Sequence, residues 1–243
     1  MLALIDSDTP VFATALVSDD VAVAIAKSRL DVCISNLIRD SGCSEYKLFV
    51  SGHTNFRKEI DPSYKANRTG DDPKHREALR LHLIKEWNAV ECEGFEADDM
   101  CGIEQKEDGS TCIVAIDKDL LQVPGLHYSW PIIRSGKVVR EGIFREISKE
   151  EGMKRFFIQA LTGDVSDNIK GIYGIGPKKA EKLLIDCKTE AEMYDVIQFW
   201  YTSSLMVENP EQEEIRLRNN LDLLWIWREL GVTYSVRKEI YGL

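Results

Sequence analysis

Residues 160–180 read A-L-T-G-D-V-S-D-N-I-K-G-I-Y-G-I-G-P-K-K-A, and the chain has a different character on either side of them. Within the stretch, Asp164 and Asp167 stand just ahead of a tight glycine hairpin, Gly171 to Gly176. A basic helix started by Pro177 follows at once and carries Lys178, Lys179 and Lys182. Carboxylates suit a hard metal ion, whereas glycine backbone beside a helix N-terminus suits phosphate. The pairing points to chemistry on a nucleic-acid backbone.

Upstream, short apolar runs alternate with helical periodicity. Leu2–Ile5, Tyr46–Val50, Val90–Cys92, Thr111–Ile116 and Tyr128–Trp130 read as strands, and Ile132–Arg134 with Lys137–Arg140 as a hairpin around Ser135-Gly136. Val21–Arg39, a segment from Pro73 to Trp87 capped by Asp72, and Phe95–Lys106 read as helices. Thr54–Asp72 has no clear period, is rich in charge and reads as a functional or mobile loop. From Ser148 onward only helices are expected: Lys149–Leu161, Pro177–Cys187, Thr189–Leu205 and Glu211–Leu230. Trp225 and Trp227 in the last of these cannot both face one side of a helix. Alternation followed by helices alone predicts an α/β domain over 1–147 and a helical subdomain over 148–243.

Hydrophobic content of 44% and charge of 30% fit a globular chain with a real core. No apolar run approaches the roughly 18–20 residues that cross a bilayer, and M-L-A-L-I-D lacks the basic start of a signal peptide. A cytoplasmic protein is expected. Six cysteines without a CxxC pair read as reduced thiols, and four dispersed histidines give no zinc spacing.

A net charge of −10 opposes nucleic-acid binding as a whole, but its distribution does not. Arg57–Glu86 and Lys149–Lys188 each hold eight Lys/Arg against six Asp/Glu, while Glu190–Asp222 holds two against eight. The acidic run Glu208–Glu214 reads as a solvated helix start.

The acids gather where strands end. Asp6 follows the first strand, Asp117 and Asp119 follow T-C-I-V-A-I, and Glu96, Asp98 and Asp99 begin the helix after Val90–Cys92. In open parallel sheets ligands bind beyond these ends. Asp164 and Asp167 are expected to close the same crevice. Two divalent ions about 4 Å apart, held by such carboxylates, suit phosphodiester hydrolysis. Singly, each acid is as well explained by helix capping or the helix dipole, and Asp8 keeps that reading.

Taken together, L-I-D at 4–6, N-F-R-K-E-I-D-P-S-Y-K-A-N-R at 55–68, E-A-D-D at 96–99, I-D-K-D-L at 116–120 and residues 163–180 resemble the 5′ nucleases. These include flap endonucleases, phage 5′–3′ exonucleases and the nuclease domain of bacterial DNA polymerase I. The resemblance runs from Leu2 to about Cys187. It implies a PIN-like, mostly parallel sheet with a helical arch around 54–88, followed by a helix–hairpin–helix (helix–three-turn–helix) motif at 163–187. It implies magnesium or manganese, two ions, on Asp6, Glu96, Asp98, Asp99, Asp117, Asp119, Asp164 and Asp167, with Asp117 and Asp164 essential to cleavage.

Lys65 and Arg68 would meet the scissile phosphate, and Tyr64 would lie beside them at the base of the arch. Arg57, with Lys58, Lys74, Arg76 and Arg80, would line the DNA path. Phe56 and Tyr64 stack on a terminal base or pack within the arch. Gly174, Gly176, Lys178 and Lys179 would hold duplex DNA, with a potassium ion on hairpin carbonyls. The expected substrate is DNA with a 5′ end, flap or nick, or an RNA:DNA hybrid, in phage-type replication, primer removal, repair or recombination.

One position departs from the pattern. F-V-S-G puts Ser51 where the family usually has Asp, so the remaining acids suffice, His53 or water substitutes, or activity is weakened. Two rival readings stay open: a non-catalytic structure-specific DNA-binding protein, and a PIN-type ribonuclease, which would not need the hairpin.

Overall fold

The computed structural model describes residues 1–134, 137–202 and 209–242. In chain order the elements begin with β1 (Leu2–Asp6), α1 (Asp8–Leu16), α2 (Val23–Asp40), β2 (Glu45–Asn55), α3 (Arg57–Ile60), α4 (Arg76–Glu86) and β3 (Val90–Gly94). Next come α5 (Ala97–Glu104), β4 (Thr111–Val114), β5 (Gly125–Ser129), β6 (Ile132–Arg134), β7 (Lys137–Arg140) and β8 (Ile143–Ile147). The remainder is α6 (Lys149–Thr162), β9 (Gly163–Asp164), β10 (Ile169–Lys170), α7 (Pro177–Leu183), α8 (Glu190–Thr202), α9 (Pro210–Leu224) and α10 (Tyr234–Tyr241). The turn Ser135-Gly136, the end of the helix expected to reach Leu205, and Glu208 lie outside the described residues.

The chain forms two compact units: 1–55 with 70–147, and 56–69 with 148–243. The segment 56–69 thus leaves the sheet unit that the sequence assigned it to, and the arch expected over 54–88 is divided between the two units.

In the sheet unit the strand order is β3-β2-β1-β4-β5-β8, parallel except for β8, which runs antiparallel to β5. β1 is central, and Ala3, Leu4 and Ile5 are fully buried, as its unbroken apolar run requires. Leu30 and Ile34 of α2 and Leu79 and Leu83 of α4 pack on that core. The strand order reverses beside β1, with β2 on one flank and β4 on the other. That is the switch point at which such sheets bind ligands. Helix α1 was not expected; Pro10 interrupts its pattern but falls in the first turn, where no intrahelical donor is lost.

The helical unit is centred on aromatic packing. Phe156 lies 5.0 Å from both Trp225 and Tyr234, and Trp225 lies 5.5 Å from Tyr234. Helix α9 stops at Leu224 instead of continuing to Leu230. Beyond it the chain is extended at Trp225, so Trp225 and Trp227 are both buried, which one helix face could not achieve. Arg57 ties in the 56–69 segment. Its Nε donates to the Leu223 carbonyl at 2.8 Å and its Nη2 to that of Trp225 at 3.0 Å, capping the C-terminal end of α9 with a cation.

Candidate active site

At the carboxyl edge of the sheet, Asp6 ends β1 and is 7% exposed. One Asp6 oxygen accepts the Asp8 amide at 3.1 Å. Burial, then the charges of Asp8, Asp117 and Glu96, push the Asp6 pKa up to about 8 against that bond. Nearby thiols feel the same field. Burial, then Asp8, Asp99, Asp98 and Asp6, push the Cys92 thiol up to about 12. Acids from β1, α1, α5 and the loop after β4 therefore share one electrostatic neighbourhood.

Locally several of these acids have a second task. Asp99, fully buried, accepts the Glu96 amide at 3.1 Å, and the Glu96 side chain accepts the Asp99 amide, so the pair forms a capping box on α5. Asp117 accepts the Asp119 amide at 2.8 Å, closing the turn into the 3₁₀ segment Asp119–Gln122.

Ser51 joins three elements. Its amide donates to Asp8 at 3.1 Å, its hydroxyl donates to the other Asp8 oxygen, and it accepts the Ala97 amide at 2.9 Å. A hydroxyl can donate and accept together; an ionised Asp here could only accept, and would repel Asp8. Asp8 therefore belongs to the acid cluster, a role the sequence reading withheld from it. The clue was the D-S-D spacing at 6–8 read alongside Ser51. His53 is no substitute ligand through Nε2, which accepts from Arg80 Nη2 at 3.2 Å. Arg80 is itself buried against Glu77 and Glu91, so it does not line a DNA path.

All-oxygen donors fit a hard divalent cation. Among the described residues, however, no three His, Cys, Asp or Glu side chains already form an ion cage. Glu96, Asp99 and Asp117 make local capping and turn bonds, and a cation would offset the repulsion that helps to raise Asp6.

In the helical unit, Asp167 is a hub. It accepts Tyr64 Oη at 3.0 Å and Arg68 Nη2 at 2.7 Å, its carbonyl accepts the Lys65 amide at 2.9 Å, and Lys65 Nζ lies 3.9 Å from its carboxylate. Asn168 Nδ2 adds a bond to the Ser63 carbonyl at 2.8 Å. The motifs Y-K-A-N-R and G-D-V-S-D-N, about a hundred positions apart in sequence, thus form one structure. Asp164, 3% exposed, accepts the Ser166 amide at 2.8 Å and Gln159 Nε2 at 3.0 Å.

Two expected DNA contacts, Arg57 and Tyr64, are corrected here. Arg57 is 1% exposed and spends its guanidinium on backbone carbonyls, so it offers nothing to a phosphate. Tyr64 is buried under its bond to Asp167, and Phe56 stacks on Trp227 at 4.5 Å. Both rings thus take the packing alternative, Tyr64 wholly and the half-buried Phe56 on the face that meets Trp227.

The hairpin glycines separate by role. A Cβ on Gly171 would sit 2.2 Å from the Thr162 carbonyl carbon, so close packing demands glycine. Gly174 has φ +74°. Gly176 has neither reason: its φ is −96° and a Cβ there would meet nothing within 4 Å. Lys178 and Lys182 line a groove of about 540 Å³ against α6, with Lys154, Ile158 and Ile185. Lys179 turns away, its Nζ 4.8 Å from the centre of the Trp200 ring.

A mostly parallel sheet carrying acids at its switch point, followed by a helical second unit, is an α/β fold of the nuclease type. The chain belongs to the 5′-3′ exonuclease family: residues 16–147 match the family described as 5′-3′ exonuclease, N-terminal resolvase-like domain. It is 37% identical over 144 residues to DNA polymerase I of Rhizobium leguminosarum, covering 53% of this chain and 14% of that protein. It is 31% identical over 151 residues to a 5′-3′ exonuclease of Bacillus subtilis, covering 57% of this chain and 50% of that protein.

Among solved structures, the bacteriophage T5 D15 protein co-crystallised with metal ions superposes with a TM-score of 0.63 at 19% identity. That match covers 92% of this chain and 89% of the other. The catalytic core of Rad2 in complex with DNA substrate gives 0.55 at 12% identity, covering 99% and 91%. These likenesses are of fold. The chain matches half or less of the length of both curated relatives.

Proposed function

We propose that this protein is a metal-dependent 5′-3′ exodeoxyribonuclease and structure-specific 5′-flap endonuclease that hydrolyses DNA phosphodiester bonds. The observation that carries the reading is Asp6: a buried acid at the switch point, raised to about 8 partly by three other acids from separate elements. Structure alone gains nothing from such crowding, whereas a hard cation would hold it together. The family membership and the metal-bound T5 relative support the same reading.

Asp6, Glu96, Asp98, Asp99, Asp117 and Asp119 in the sheet unit, and Asp164 and Asp167 in the helical unit, are the proposed ligands. Two magnesium or manganese ions bound there would supply the Lewis acidity that phosphodiester hydrolysis needs. Asp8 and Ser51 tie together the elements of the sheet unit that carry its acids. Arg68, with 57% of its side chain exposed, exchanges Asp167 for the scissile phosphate, and Lys65 adds a second positive charge there. Gly174, Gly176 and Lys178 contact the duplex backbone, and Lys179 contributes through its charge beside Trp200. DNA with a 5′ end, flap or nick is the proposed substrate, an RNA:DNA hybrid a secondary one, and phage-type replication, primer removal, repair or recombination in the cytoplasm the setting. Among the described residues no helix is long and apolar enough to cross a membrane.

A second reading has one observation in its favour: Glu96 and Asp99 are engaged in a cap and Asp167 and Asp119 in ion pairs, with no cage formed among the described residues. In that case the protein binds DNA structures without cutting them. Release of nucleotides from a 5′-labelled nicked duplex, assayed with magnesium and with excess chelator, separates the two. Magnesium-dependent release is expected; binding with no release in either condition would establish the binder.

A further inference from the structure

The hairpin begins at Lys170 and Gly171, and the carbonyls of both are already taken. Arg216 of α9 donates from Nη1 to the Lys170 carbonyl at 3.0 Å and to the Gly171 carbonyl at 3.2 Å. Asn220, one turn further along α9, donates from Nδ2 to the same Lys170 carbonyl at 2.8 Å and to Tyr201 Oη at 2.9 Å. Tyr201 Oη in turn donates to the Ala160 carbonyl at 2.7 Å, just before the hairpin. Glu213 accepts from Arg216 Nε at 2.8 Å, and the Arg216 guanidinium lies 4.7 Å from the centre of the Tyr201 ring. Tyr201 and Asn220 are buried, so the frame around the guanidinium is fixed by packing on two helices.

A monovalent cation of the kind the resemblance implied does not fit on the Lys170 and Gly171 carbonyls. The Lys170 carbonyl accepts two donors, the Gly171 carbonyl accepts one, and the Arg216 guanidinium, held by Glu213, fills the place against both that a second cation would need. The guanidinium also has what potassium would bring: positive charge against carbonyl dipoles, and several contacts that fix the loop.

We propose that Arg216, seated by Asn220 and Tyr201, is the hairpin's built-in cation, a positioning residue that makes duplex binding by this chain independent of potassium. The proposal rests on the hairpin being the duplex contact. Arginine suits the task because its charge does not titrate and its fork reaches two carbonyls at once.

The test is the affinity of the whole protein for a nicked duplex, by fluorescence anisotropy, in potassium and in lithium chloride at equal ionic strength. Wild type is expected to give Kd values within twofold of each other. Arg216→Met should bind at least tenfold more weakly in lithium and recover severalfold in potassium, with Arg216→Lys in between. Thermal melting without DNA gives a second readout: potassium should raise the midpoint of Arg216→Met relative to lithium and leave wild type unchanged. A wild-type Kd that rises fivefold or more in lithium overturns the proposal without needing any variant. So does an Arg216→Met protein whose melting falls equally in both salts while its affinity shows no salt preference, since that marks a purely structural arginine. Wild type that binds no duplex in either salt refutes the DNA-binding reading itself, and this inference with it.

Discussion

Burial and the charges of Asp8, Asp117 and Glu96 raise Asp6 to about 8, so folding without metal favours its neutral carboxyl. The stabilisation is present in full below the ordinary value of 3.8 and is lost as pH rises toward 8. Chelator-treated protein should therefore melt at a lower temperature at pH 8 than at pH 5. Asp6→Asn should flatten that fall and raise the midpoint at pH 8 by a few degrees; parallel melting curves for the two proteins would contradict it. Magnesium should raise the wild-type midpoint more at pH 8, where it need not displace a proton. Ser51 offers a second test. Ser51→Ala removes the link between Asp8 and the Ala97 amide, at a cost of about 1–2 kcal/mol, or roughly 2–8 °C in the melting midpoint of a chain this size. An unchanged midpoint would mean that the hydroxyl bridges nothing. The departure from the family pattern was visible in the sequence, but its compensation was not, because nothing local in F-V-S-G points to Asp8.

At the level of elements, the hairpin makes a paired prediction. Gly171→Ala forces a Cβ against Thr162 and should destabilise the helical unit by about 1–3 kcal/mol, seen as a lower melting midpoint. Gly176→Ala should leave the midpoint within a degree, because its Cβ enters open space, yet weaken duplex binding severalfold by standing between backbone and phosphate. Equal affinity for Gly176→Ala and wild type would remove Gly176 from the DNA contact. The strands were legible where apolar runs ended in turn residues, as at Leu2–Asp6 and Thr111–Val114. Helix α1 and helix α10 were missed because Pro10 interrupts the apolar pattern of the first and the second is only eight residues long. The helix expected to continue to Leu230 stops at Leu224, where burying two tryptophans outweighs helical continuation.

For the whole molecule, the sequence indicated a sheet portion followed by a helical portion, and the division at Ile147 and Ser148 follows that order. It could not reveal that 56–69 belongs with the helices, because the bonds that assign it, from Arg57 to the end of α9 and from Tyr64 and Arg68 to Asp167, span long stretches of chain. Charged residues that looked like a DNA-facing run, Arg57 and Arg80, are internal ties; composition cannot separate a solvated cation from one that caps a helix. The acids at the sheet's carboxyl edge stood out because strand ends announce themselves, and so did the local tasks that the structure gives Glu96, Asp99 and Asp117 as caps and turn formers.

Under the proposed function these acids hold the metal with which the protein cuts DNA. Asp117 is exposed, so Asp117→Ala should leave the fold intact, and it provides the most direct test. With magnesium and a 5′-labelled nicked duplex, wild type should release short 5′ products, whereas Asp117→Ala and Asp164→Ala should release at least a thousandfold less and still bind the duplex within a few-fold of wild type. Cleavage by Asp117→Ala at the wild-type rate would contradict the account.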